Sequence, residues 1–155
     1  MKKTLALLFF LLLVLAPVLG MAEDNLLSNG GFERLDELGD PEGWYTNTYR
    51  NEAGYSRLQI TDEKAHSGSY SALIQNASLN DARYITTVRV EPNSYYRLSG
   101  YVLVERMEDE GNGANFGIED LYTSSTGLYD TDGQWQYLEW YGKTGPEQKA
   151  ITLGV

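Results

Sequence analysis

Along most of this chain apolar and polar side chains alternate with a period of two, the pattern of strands with one buried and one wet face. Tyr45, Asn47 and Tyr49 alternate with Trp44, Thr46 and Thr48, and a second alternation runs from Tyr55 to Ile60 beyond Asn51-Glu52-Ala53-Gly54. Ser69–Gln75, Ala82–Val90, Tyr95–Glu105, Ala114–Ile118, Trp135–Tyr141 and Ile151–Val155 continue the series. Turn formers stand between them: Gly39-Asp40-Pro41, His66-Ser67-Gly68, Glu91-Pro92-Asn93-Ser94 and Gly111-Asn112-Gly113. Helical spacing is absent. The charged segment Arg34–Gly43 reads as a loop, the acidic stretch Glu108–Gly113 as a hairpin-like turn, and Thr123–Thr131 as a polar loop. Short strands punctuated in this way predict an all-β chain folded as an antiparallel β-sandwich.

Alternation also assigns faces within each strand. Tyr96, Leu98, Gly100, Val102 and Val104 take the core side of their strand, leaving Arg97, Ser99, Tyr101, Leu103 and Glu105 outside. Ala114, Phe116 and Ile118 face inward against Asn115, Gly117 and Glu119, and Leu138 and Trp140 inward against Tyr137, Glu139 and Tyr141. Phe32, Phe116, Leu138 and Trp140 are the expected core.

One apolar run does not fit this scheme. Met1-Lys2-Lys3, an uncharged block from Leu5 to Leu15, Ala16-Pro17 and small residues at Gly20 and Ala22 form the three parts of a secretory signal peptide. From Thr4 to Leu19 the stretch is 16 residues, below the roughly 18–20 that a spanning helix needs. Residues 1–22 are therefore expected to be cleaved, leaving 23–155 as one secreted or cell-surface domain with no membrane insertion. Loss of Lys2 and Lys3 takes the formal charge from −10 to −12. Such a surface repels nucleic-acid phosphates and anionic lipid, so neutral partners and cations remain. The chain has no cysteine, which excludes a disulfide scaffold, Cys-ligated zinc and thiol catalysis.

Catalytic constellations are scarce. His66 is the one histidine, so a two-histidine zinc site cannot be built, and there is no G-x-S-x-G elbow for a hydrolase serine. Gly111-Asn112-Gly113 lacks the third glycine of a dinucleotide loop. Asp130-Thr131-Asp132-Gly133 resembles part of a calcium loop, but Leu128 stands where the first acid should be, and a plain turn is expected. Glu119 and Glu139 could be posed as a glycosidase pair, yet a domain of this size seldom supplies the cleft, and no enzyme activity is expected. Sugar binding is better supplied. Pyranose rings offer flat C–H faces edged with hydroxyls, which aromatic platforms flanked by amides, carboxylates and arginines recognise; the chain holds 12 Tyr and 3 Trp, none in the leader.

The order Asn25-Leu26-Leu27-Ser28-Asn29-Gly30-Gly31-Phe32-Glu33, Gly43-Trp44, Ile60-Thr61-Asp62 and His66-Ser67-Gly68-Ser69-Tyr70-Ser71-Ala72-Leu73 resembles the carbohydrate-binding modules of families 4, 9 and 22, jelly rolls of the galactose-binding-like group. That resemblance implies non-catalytic binding of a polysaccharide or oligosaccharide by a bacterial module attached to a larger enzyme or envelope protein. A sandwich of the same group that has lost its sugar site and serves as a spacer or protein contact is the alternative. It further implies a concave groove shared by Tyr101, Glu119 and Tyr137, joined by Arg83 and by Trp44, which could equally lock the loop to the sandwich. A structural calcium held by Glu33 and a turn carbonyl at Ser67 is part of the same implication. The resemblance ordinarily adds a last strand with an acidic pair, so truncation at the C-terminus and a further domain beyond it are expected.

Overall fold

The computed structural model describes residues 25–105, 107 and 111–155. The leader and most of the acidic stretch Glu108–Glu110 singled out above lie outside the described residues. Nine strands follow one another: β1 Tyr45–Thr48, β2 Ser56–Thr61, β3 Ser71–Asn76, β4 Ala82–Arg89, β5 Tyr95–Val102, β6 Gly117–Ile118, β7 Thr123–Ser124, β8 Gln136–Lys143 and β9 Ala150–Gly154. All pairings are antiparallel.

Five strands form one layer in the order β1-β4-β9-β6-β7, while β2 pairs with β3 and β5 with β8. The two hairpin-like pairs supply the facing layer. Leu58 and Ile60 of β2, Ala72 and Ile74 of β3, Leu98 of β5 and Trp140 of β8 pack against a buried cluster of Trp44, Tyr84, Val88, Ile118 and Leu153. Each large apolar side chain so buried stabilises the fold by about 1.5–3 kcal/mol. The expected antiparallel sandwich is the observed one.

Phe32 enters this core as expected, but the turn before it is not made by glycine conformation. Phe32 itself carries the left-handed backbone, with φ of 61°, a costly choice for a bulky residue. Ring contacts hold it there: Trp44 lies 4.9 Å and Tyr84 5.8 Å away between centroids. Asn29 ties the same corner together. Its side-chain amide donates to the carbonyls of Arg34 and Glu42, and its Oδ1 accepts from the Arg34 N–H. Tyr84, only 2 % exposed, was not among the expected core residues. Burial, then the charge of Asp40, pushes its pKa up to about 12.

Two expected elements change. Of Ala114–Ile118 only Gly117–Ile118 is strand, with Ala114 making an isolated bridge to Leu128, and Glu119 opens a 3-10 turn over Glu119–Leu121. The polar loop Thr123–Thr131 begins with the short β7. Within β5 and β8 the assignment of faces agrees residue by residue, Leu98, Gly100, Leu138 and Trp140 being more covered than their neighbours. Asp130–Gly133 is a turn, closed by the Asp132 N–H donating to Asp130 Oδ1.

Candidate functional site

Register sets one group of side chains on the side of the five-stranded layer away from the core. Tyr45 stands opposite Ile85 and Asn47 opposite Arg83; Ile85 stands opposite Gly154, and Gly154 opposite Gly117. Because the intervening residues Tyr84, Leu153 and Ile118 are buried, this group faces out. The two glycines leave the middle of the sheet bare, and Arg83 lies across it. An added Cβ at Gly154 would sit 3.0 Å from both Arg83 Cδ and Glu119 Oε1, and one at Gly117 would collide with Arg83 Nη1. Neither glycine has a left-handed backbone, so their contribution is room for the arginine.

Arg83 is held from both ends. Its Nε and Nη2 donate to the two oxygens of Asp81 at 2.6 and 3.0 Å, and Nη1 donates to Glu119 Oε1 at 3.0 Å. The Asp81 hydrogen bond is the main reason its pKa lies above that of an ordinary arginine; burial opposes it, and the charges of Asp81 and Glu119 add to it. Asn47, Tyr49, Asp81, Arg83 and Glu119 line a hollow of about 150 Å³. At this size the hollow can seat part of a ligand, so an extended chain would lie along the sheet rather than be engulfed. Tyr45 and Tyr49, 70 % and 85 % exposed, stand on the β1 side.

The second outward face belongs to β5 and β8. Tyr101 stands opposite Tyr137, Ser99 opposite Glu139, Arg97 opposite Tyr141 and Tyr95 opposite Lys143. The phenols of Tyr137 and Tyr141 both donate to Glu139 Oε2, at 3.1 and 3.2 Å. His66 stacks on Tyr101 with centroids 3.5 Å apart, and the edge of Trp135 meets His66. Lys143 lies over the ring of Tyr95.

These two faces divide the groove expected from the sequence. Tyr101 and Tyr137 are neighbours with centroids 5.4 Å apart, and Arg83 joins Glu119, but Glu119 does not share a face with the tyrosines. Leu98 and Trp140 turn inward from β5 and β8 toward the core that Tyr84 and Ile118 enter from the other layer. The outward sides of the two layers therefore point in opposite directions. The same geometry separates Glu119 from Glu139 and removes the posed glycosidase pair, since each carboxylate is engaged by partners on its own face.

Trp44 also corrects an expectation. It is 7 % exposed, its indole N–H donates to the Asn29 carbonyl at 3.0 Å, and its ring packs on Phe32, so it locks the loop and offers no platform to a sugar. The residues missed were Tyr45, Asn47, Tyr49 and Asp81. Three of them were legible as the partners of Trp44 in its alternation, since a buried Trp44 turns Tyr45, Asn47 and Tyr49 outward.

At Glu33 the carboxylate accepts from the Ser69 N–H at 3.0 and 3.1 Å and from the Tyr70 N–H at 3.1 Å. It occupies the space that a side chain on Gly68, whose φ is 71°, would need. This is a carboxylate capping the turn after Ser67. Among the described residues no group of three or more His, Cys, Asp or Glu is placed to hold a metal ion, so the fit to calcium would rest on Glu33 and backbone oxygens.

Comparison with curated proteins returns no match. Residues 24–146 match the CBM_4_9 family model, a carbohydrate binding domain, and that span reaches from the Glu33 turn through both outward faces described above. Domains of this kind are non-catalytic binding modules. The chain belongs to the CBM_4_9 family of carbohydrate-binding domains.

Proposed function

We propose that the outward face of the five-stranded layer binds a neutral polysaccharide chain. Tyr45 and Tyr49 stack on pyranose faces, while Asn47, Arg83 and Glu119 exchange hydrogen bonds with ring hydroxyls. The observation that carries this reading is Arg83 laid over Gly117 and Gly154 between two carboxylates. Fixing the guanidinium in advance removes the entropy cost of ordering it on binding, and a guanidinium has five N–H groups, more than Asp81 and Glu119 engage. With Asp81 and Glu119 answering its charge, the hollow carries no surplus cation to attract an acidic glycan.

The same reading has residues 1–22 directing export and the domain tethering a larger enzyme or envelope protein to its glycan outside the cell. Its test is affinity gel electrophoresis of the domain in xylan, mixed-linkage glucan and mannan. Retardation in at least one gel is expected, reduced in Tyr49→Ala and Asn47→Ala variants whose circular dichroism is unchanged. Free migration in all three would favour a spacer or protein-contact domain instead. Calcium at Glu33 and Ser67 is a separate proposal, because the N–H groups of Ser69 and Tyr70 already engage that carboxylate. A higher Tm in CaCl2 than in EGTA supports the cation; equal Tm values mean that the hydrogen bonds suffice.

A further inference from the structure

The tyrosine strip on β5 and β8 has no part in the groove just described, since it faces the opposite way. We propose that it is a second carbohydrate-stacking surface, so that one domain holds two glycan chains, one on each side of the sandwich.

Three observations support that occupant. Tyr137 and Tyr141 are four residues apart on one strand, about 14 Å at the usual rise, and both are exposed. That spacing presents two rings along a line, as successive or alternate units of an extended glycan require. Next, the rings are braced before any ligand arrives: one oxygen of Glu139 accepts from both phenols, and His66 backs Tyr101 by stacking. A braced aromatic face loses little side-chain freedom on binding, whereas tyrosines present only as good strand formers need no such bracing. Finally, the local charges answer one another. Lys143 lies over Tyr95 and Glu139 sits between two phenols, leaving a neutral, hydroxyl-rich surface suited to an uncharged partner. A second copy of the chain is the poorer fit, because it would bring together two molecules of formal charge −10.

The inference rests on the carbohydrate-binding nature of the family and not on the Arg83 groove. The experiment adds soluble xylan, mixed-linkage glucan or mannan to the domain and reads light scattering, together with retardation in the same glycans. Two double variants are compared, Tyr137→Ala with Tyr141→Ala and Tyr45→Ala with Tyr49→Ala, each checked by circular dichroism. A domain with two sites cross-links long chains, so wild type raises scattering, and either double variant abolishes the rise while remaining retarded. Retardation is expected to weaken by about tenfold in each, the order of one or two lost stacking contacts. If only the β8 variant loses retardation, the strip stands and the groove reading fails. If the β8 variant matches wild type in both readouts, or if no glycan is bound at all, the proposal is overturned. It is likewise overturned if wild type is a dimer by light scattering without glycan and the β8 variant a monomer, since the strip is then a contact between copies.

Discussion

The two outward faces of this sandwich are built alike and prepared differently. Both come from antiparallel strands with exposed tyrosines, yet the five-stranded face is organised around one clamped arginine over two glycines, and the β5–β8 face around phenols sharing one carboxylate. The first is a hollow with directed donors and acceptors, the second a flat strip. Exposed aromatic residues alone therefore do not distinguish a gripping site from a stacking surface. What distinguishes them is whether the neighbouring positions carry a side chain: Gly117 and Gly154 let a long side chain lie down, whereas Ser99, Glu139 and Arg97 fill the rows of the strip.

The strongest way to break the comparison is to remove what both faces stand on. Trp44→Ala takes away the ring packed on Phe32 and the donor to Asn29, and the cost expected in urea unfolding is about 3–5 kcal/mol. Glycan retention should then decline at both faces together. Tyr84 tests the same core by pH. Its phenol ionises near pH 12 in the folded chain, against about 10 when unfolded. The unfolded chain sheds its proton first, so this contribution is intact below about pH 10 and is lost as the pH rises toward 12, by about 2–3 kcal/mol. Tyr84→Phe should flatten that part of the stability profile; an unchanged slope would mean that the phenol is not held neutral by burial.

Gly117→Ala separates the faces. The new methyl group meets Arg83 Nη1, and crowding of this kind costs about 1–3 kcal/mol. Glycan contact at the five-stranded face should fall while the strip, remote from the change, keeps its tyrosine environment by near-ultraviolet circular dichroism. The smallest effect is expected at Glu33→Ala. It frees the Ser69 and Tyr70 N–H groups at a partly wet turn, and the loss in urea unfolding should be about 1 kcal/mol. Because the adjoining His66 stacks on Tyr101, that variant should disturb the strip before the groove.

Much of this was legible in the sequence, and the limit is physical. Period-two alternation located nearly every strand and correctly turned Leu98 and Trp140 inward and Tyr101, Tyr137 and Tyr141 outward, because side-chain direction is a local property of extended backbone. Which layer a strand joins is not local. Glu119 shares a face with Arg83 because β6 pairs with β9, and β9 with β4, pairings between segments far apart in sequence. Hence three outward strands were read as one groove when they belong to two layers. Tyr84 escaped notice because tyrosine commonly sits half buried in strands, and the two-residue β7 was too short to show a period. Trp44 was ambiguous until its hydrogen bond to Asn29 placed it inside.

Backbone amide mapping by nuclear magnetic resonance, titrating the domain with hexasaccharides of xylan, glucan and mannan, tests the groove most directly. With a hexasaccharide that binds, Asn47, Tyr49, Arg83, Gly117 and Gly154 should shift together and saturate along one curve. Binding that moves other amides and leaves those five in place would contradict the groove.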